Sequence, residues 1–170
     1  MVGAPVVHLW FSNDDALEAA ARYCALFPNS RITGVTRYTE AGRETHGHEP
    51  GSVMTVSFEL DGVRCMGLNG GPAFSLSPAF SFIIECDSQE EIDRYWEALA
   101  EGGDPAAQVC GWLQDRFGVS WQIVPRTIGG LTMDEWFSVG EPAARERLMG
   151  AMLAMSKLDV AALEAAARRA

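Results

Sequence analysis

Apolar and polar positions along this chain fall into runs that switch between two periods. Residues 5–12 form an apolar run of strand character. The next stretch places Leu17, Ala20, Cys24 and Phe27 on one helical stripe, with Asp14 as expected N-cap and Pro28-Asn29 as the stop. Residues 30–39 alternate and are β-branched, which predicts a strand, and the polar, glycine-containing segment 40–51 reads as a long loop. SVMTVSFEL, Asp61-Gly62 and VRCMGLN predict a hairpin, because Asp-Gly suits the two positive-φ positions of a tight turn. This half is β-α-β-β-β, and residues 69–78 link it to the next.

The second half predicts a strand over 79–86. A helix from Ser88 follows, with Ile92, Trp96 and Leu99 inward and Gly102-Gly103 at its end. Strands are expected over 107–114 and 119–125, with one strand missing or weakly marked around 104–110. Beyond Pro125 the spacing predicts a linker or short helix over 127–136. A helix over 141–157 then carries Leu148, Met152 and Met155 on one side, and a last short helix is capped by Asp159. Such short helices need something to pack on.

The chain also repeats itself. Residues 6–26 align with 79–99 without a gap: each copy is an apolar run, an Asp (Asp14 or Asp87) and an amphipathic helix ending Ala-Leu. Two copies make a paired module, not a solenoid.

With 170 residues, 48% hydrophobic, the chain suits one compact domain or two small modules sharing a core. A net charge of −10 without a basic cluster argues against a nucleic-acid partner. Arg168-Arg169 reads as a solvated helix end. No apolar run is long enough to span a bilayer, and the first residues have no basic-then-apolar leader pattern. No membrane partner and a cytoplasmic location are therefore expected. Cys24, Cys65, Cys86 and Cys110 are scattered and read as reduced thiols.

Paired βαβββ modules resemble the vicinal-oxygen-chelate superfamily, which includes glyoxalase I, extradiol dioxygenases and the bleomycin- and fosfomycin-resistance proteins. SVMTVSFELDGVRCMGLNGGP, CGWLQDRFGVSWQIVP and MGAMLAMSKLDVAALEAA resemble the PhnB-like branch, which often bears the label demethylubiquinone methyltransferase-like. The resemblance implies an α+β fold of two modules, about 5–68 and 79–125, in one domain over 1–125. A helical extension over 126–170 would pack on that domain or on a dimer partner. It also implies a homodimer. The methyltransferase label lacks its usual sequence support, since the first strand runs into SNDDAL without a glycine-rich turn.

The superfamily's chemistry rests on a divalent metal held by four strand positions related by the repeat. The resemblance puts these on His8 and Ser81, and on Met66 and Gln122, each of the latter four residues after a turn glycine. Of the four, only His8 and, weakly, Gln122 suit a hard divalent ion, and a thioether suits Cu(I). A catalytic site needs about three protein ligands. No metal and no cofactor are therefore expected.

What remains is a cavity whose lining follows from strand alternation: His8, Trp10, Arg64, Met66, Ser81, Ser120 and Gln122. Its apolar and aromatic character with a few polar groups suits a small organic ligand. The opposite faces, with Leu9, Phe11, Phe80, Phe82, Ile84, Trp121 and Ile123, should form core under the helices.

Each residue has a second reading. His8 is a general base or a satisfied cavity histidine, and Trp10 a ligand platform or packing. Arg64 binds an anion or pairs with an acidic neighbour such as Glu59. His46 and His48, with Glu44 and Glu49, offer metal ligands or form a flexible solvated loop. Three functions stay open: a metal-free small-molecule-binding protein, an enzyme on a small metabolite with His8 in its site, and a structural dimer module.

Overall fold

The computed structural model describes residues 3–168. The chain divides into two compact units, one reaching Leu76 and one beginning at Ser77.

The first unit runs β1 (Val7–Phe11), α1 (Ala16–Leu26), β2 (Arg31–Arg37), α2 (Arg43–His46), β3 (Val53–Leu60) and β4 (Val63–Asn69). Its four strands form one sheet in the order β1-β4-β3-β2, with β1 parallel to β4 and the other pairs antiparallel. The predicted hairpin is present: Asp61 and Gly62 have φ of 42° and 89°, the mirror-image turn that matches strand twist.

Helix α1 differs from expectation in its buried stripe, which is Ala16, Ala19, Ala20 and Tyr23, while Leu17 is exposed. Small side chains let the helix settle close to the sheet. At Gly67 an added Cβ would meet Phe11 at 2.9 Å and Ala16 at 3.1 Å. The N-cap is Asp15, not Asp14, which adopts φ 61° one residue earlier. Beneath the helix lie Leu9, Phe11, Val56, Phe58, Leu60 and Cys65.

The second unit runs β5 (Phe82–Cys86), α3 (Gln89–Ala100), β6 (Asp104–Val109), β7 (Trp112–Gln114), β8 (Ser120–Pro125), α4 (Met133–Val139), α5 (Pro142–Leu153) and α6 (Val160–Arg168). Its sheet has the same order, β5-β8-β7-β6, again with first and last strands parallel. The single strand expected over 107–114 is two strands. Cys110 and Gly111, at φ 53° and 81°, turn the chain between them. A Cys-Gly turn carries a weaker sequence signal than Asp-Gly, and this concealed the strand at Asp104–Val109.

Ser88 caps α3 by accepting from the Glu91 amide at 3.2 Å, and Ile92, Tyr95, Trp96 and Leu99 are buried. Trp121, Ile123 and Leu113 complete this core, whereas Phe80, expected inside, is 46% exposed. Phe80 precedes β5, so no ladder holds it in the alternation that would turn it inward. Phe82 and Ile84 are half-buried.

The last helices bury Ile128, Leu148, Met152, Leu158 and Leu163 together. They are tied to the rest of the second unit by backbone bonds from Cys110 to Met155 (2.7 Å) and from Gly111 to Ser156 (2.8 Å). The Gln89 side chain donates to the Leu158 carbonyl at 3.1 Å and accepts from the Val160 amide at 2.8 Å. Asp159 caps α6 through the Ala162 amide at 2.9 Å.

The repeat is visible in three dimensions, but its strands are offset from the gap-free alignment. The amide of Gly70 donates to Phe11, as that of Arg126 does to Cys86. Those equivalences extend along the ladders, where His8 pairs with Met66 and Ile83 with Gln122. The structural counterpart of His8 is therefore Ile83, two residues beyond Ser81. The connection between strand and helix is two residues shorter in the second unit. A shift of two keeps every side chain on its face, so the sequence pattern does not register it.

Candidate functional site

In the first unit, α1 covers the face bearing Leu9, Phe11 and Cys65. Strand alternation puts His8, Trp10, Arg64 and Met66 on the other face. His8 and Arg64 are exposed there, and Trp10 and Met66 are half-buried. His8 and Met66 are register partners. Arg64 sits opposite Glu59, but Glu59 pairs with Arg31 at 2.7 Å, and among the described residues Arg64 has no ion pair. Its guanidinium is free to meet an anion.

Trp10 is a fixed part of the structure. Its indole N–H donates to the Gly71 carbonyl at 2.8 Å, and its ring meets Phe74 edge-on at 5.0 Å. The chain passes so close that a Cβ on Gly70 would lie 2.3 Å from the indole.

In the second unit, Gln122 donates its side-chain amide to Ser81 Oγ at 2.9 Å. Ser120, on the same face, is 3% exposed. Ser81 and Gln122 are thus brought together within this unit, with Ser120 on the same strand face, and His8, Trp10, Arg64 and Met66 share a face in the first.

The positions in each unit to which the resemblance points for metal ligands do not carry suitable donors. They carry an imidazole, a thioether, an alkyl group at Ile83 (or, by the gap-free alignment, a hydroxyl at Ser81), and a carboxamide whose N–H is engaged with Ser81. A hard divalent ion wants carboxylates, imidazoles and carbonyl oxygens, and one imidazole with one amide oxygen falls short of three protein ligands.

A second constellation, for which the chain carries little local signal, lies at the carboxyl ends of β1 and β4. The loop carrying His46 and His48 packs inward. His48 stacks on Tyr38 at 4.3 Å and 7°, and His46 lies against the same ring at 4.5 Å. The His48 side chain is only 10% exposed, with Nδ1 3.4 Å from the Asp14 carboxylate. Tyr38, itself buried, donates its hydroxyl to the Asn69 carbonyl at 2.5 Å. Burial, and next the charge of Asp14, hold the Tyr38 phenol above its usual pKa. His46 Nδ1 accepts the His48 amide at 3.0 Å, while its Nε2 is buried without a partner. The expected flexible, solvated loop is instead anchored by aromatic stacking. The two histidines were visible in sequence, but Tyr38 and Asp14, which gather them, lie in other segments.

Burial pushes the thiols of Cys65 and Cys86 up to about 11, so neither is a ready nucleophile. A groove of about 570 Å³ runs along α4 and α5, past Phe137, Arg145, Met149 and Leu153, and is lined by none of the residues expected in the site.

Two units of one βαβββ topology, each a four-stranded sheet in the same strand order, define an α+β protein of the vicinal-oxygen-chelate class. The chain belongs to its PhnB-like family: the model for 3-demethylubiquinone-9 3-methyltransferase matches residues 4–124. The PhnB protein of Bacillus cereus is 32% identical over 72% of this chain and 99% of its own, with a TM-score of 0.59. Protein PA1353 from Pseudomonas aeruginosa is 22% identical over 73% and 98%, with a TM-score of 0.54. No curated protein matches. No helix among the described residues is long and apolar enough to cross a membrane.

Proposed function

We propose that this chain is a metal-free member of its family that binds a small organic molecule on the sheet face opposite the helix. His8, Trp10, Arg64 and Met66 lie on that face in the first unit, and Ser81, Ser120 and Gln122 lie on the corresponding face of the second. The observation that carries this reading is the filling of the metal positions. His8 stands beside Met66, and Ile83 beside Gln122, in otherwise equivalent ladders. The scaffold is kept while the donor set is not.

The faces suit a partly apolar ligand with an anionic or polar end. Met66 and the edge of Trp10 offer apolar surface, and Arg64 offers an unengaged guanidinium. The methyltransferase in the family's name finds no support in the strand–helix turns. β1 runs into α1 through Ser12, Asn13, Asp14 and Asp15, with no glycine-rich cradle.

The reading is tested by thermal denaturation of the purified chain against small aromatic acids, with Arg64→Ala and Met66→Glu alongside. Stabilisation by at least one such acid, lost in both variants, supports it. Stabilisation that both variants retain places the ligand elsewhere and contradicts it.

A further inference from the structure

We propose that Asp14 and His48 form a proton-accepting site at the carboxyl ends of β1 and β4, with His48 Nε2 as acceptor for the O–H of a small hydroxylic molecule. The site lies beyond the strand faces considered above and shares with them only Trp10, which holds Gly71.

Three observations carry it. The first is orientation. The Asp14 carboxylate stands 3.4 Å from Nδ1, long for a hydrogen bond in an unliganded site but close enough to favour the proton on that nitrogen. Nε2 is then left with its lone pair. Tyr38, stacked flat on the ring and tied to the Asn69 carbonyl, fixes the imidazole plane.

The second is access. Nε2 lies toward Gly71, where an added Cβ would touch it at 3.7 Å, so the absent side chain leaves that nitrogen uncovered on this side of a ring that is otherwise 10% exposed. Gly71 holds a left-handed φ of 72°, and its carbonyl is held by the Trp10 indole, so the turn is fixed in place.

The third is contrast. His46, two residues away, has its Nδ1 occupied by the His48 amide and its Nε2 buried. Of the two rings on Tyr38, only His48 has both a carboxylate behind it and a nitrogen without a partner in front. Asp14 supplies that carboxylate from a left-handed backbone, φ 61°, that aims it at the loop.

In the proton transfer, the ligand O–H bond breaks, an Nε2–H bond forms, and the electron pair stays on the ligand oxygen. The resulting imidazolium faces the Asp14 carboxylate through its Nδ1–H. The neighbouring charges of the loop, Arg43 and Glu49, neutralise one another at 2.5 Å.

The chain has three histidines, which makes an internal comparison possible. Full-length protein is treated with diethyl pyrocarbonate at neutral pH, and each histidine is followed by peptide mass mapping. Nε2 of His48, though only 10% exposed, is expected to take up the ethoxycarbonyl group well ahead of His46, with the exposed His8 as the reference. Asp14→Asn, which keeps a residue suited to positive φ, should slow His48 roughly tenfold and leave His8 unchanged. Phenol as a hydroxylic probe should protect His48 alone. A His48 as unreactive as His46, a rate indifferent to Asp14→Asn, or no protection by phenol would each overturn the assignment.

Discussion

Gln122 donates its side-chain amide to Ser81 Oγ at 2.9 Å, which ties β8 to the residue just before β5 within one sheet. Ser81 is not the repeat counterpart of His8. That position belongs to Ile83, directly across the ladder from Gln122. The second unit therefore brings an amide and a hydroxyl together, not two metal ligands. Replacing Gln122 by Glu should leave the Ser81 hydroxyl as donor to a carboxylate. The variant should fold with little change in midpoint, within about 0.5 kcal/mol of wild type, as substitutions away from the core usually do. A large loss measured by chemical denaturation would show that the pair is a structural keystone.

Gly70 should not tolerate a side chain. A Cβ there would meet the Trp10 indole at 2.3 Å, and the indole is tethered to Gly71. Gly70→Ala should cost about 1–3 kcal/mol by overpacking, read from urea denaturation, with altered tryptophan fluorescence. Gly71→Ala should also destabilise, through its left-handed φ of 72°.

How much of this was legible in the sequence depends on how local the signal was. The Asp61-Gly62 hairpin, the helix start at Ser88 and the Ile92–Trp96–Leu99 stripe each state their geometry within a few residues, and each is present. The turn at Cys110-Gly111 has a residue before glycine that seldom adopts positive φ, so strand and turn read as one run. The two-residue offset of the repeat was invisible because face alternation survives a shift of two. Among the expected site residues, the alternation that places His8, Trp10, Arg64 and Met66 on one face was readable. The ring cluster on Tyr38 was not. It joins the end of β1, the residue after β2 and the 40–51 loop, and no periodicity links segments that far apart.

Asp115 should be a costly residue to lose. It is 5% exposed and accepts from the Phe117 amide (2.9 Å), the Val119 amide (3.0 Å) and the Trp121 indole (2.8 Å), so it organises the turn before β8. Asp115→Ala strands these donors in the interior. It should lower stability by about 3–5 kcal/mol, with Asp115→Asn intermediate, by calorimetry or denaturant titration.

Stability should decline in alkali through the buried thiols. The folded-state pKa values of Cys65 and Cys86 stand at about 11, above the ordinary 9.0, because burial disfavours the thiolate. A folded pKa raised above the unfolded one gives stability that is complete below about 9.0 and is lost as pH rises towards about 11. The double variant Cys65→Ala, Cys86→Ala should have a flatter stability profile across that window. Both thiols should resist alkylation in the native protein near neutral pH. An unchanged slope, or rapid native-state alkylation, would count against burial as the cause.

The central claim is that this scaffold has kept its repeat and given up its metal. The most direct measurement is calorimetric titration of the chelator-treated, full-length protein with Mn²⁺, Ni²⁺ and Zn²⁺, with His8→Ala as control. The account predicts no saturable stoichiometric binding that depends on His8. One equivalent of metal bound tightly by the wild type and lost in His8→Ala would contradict it.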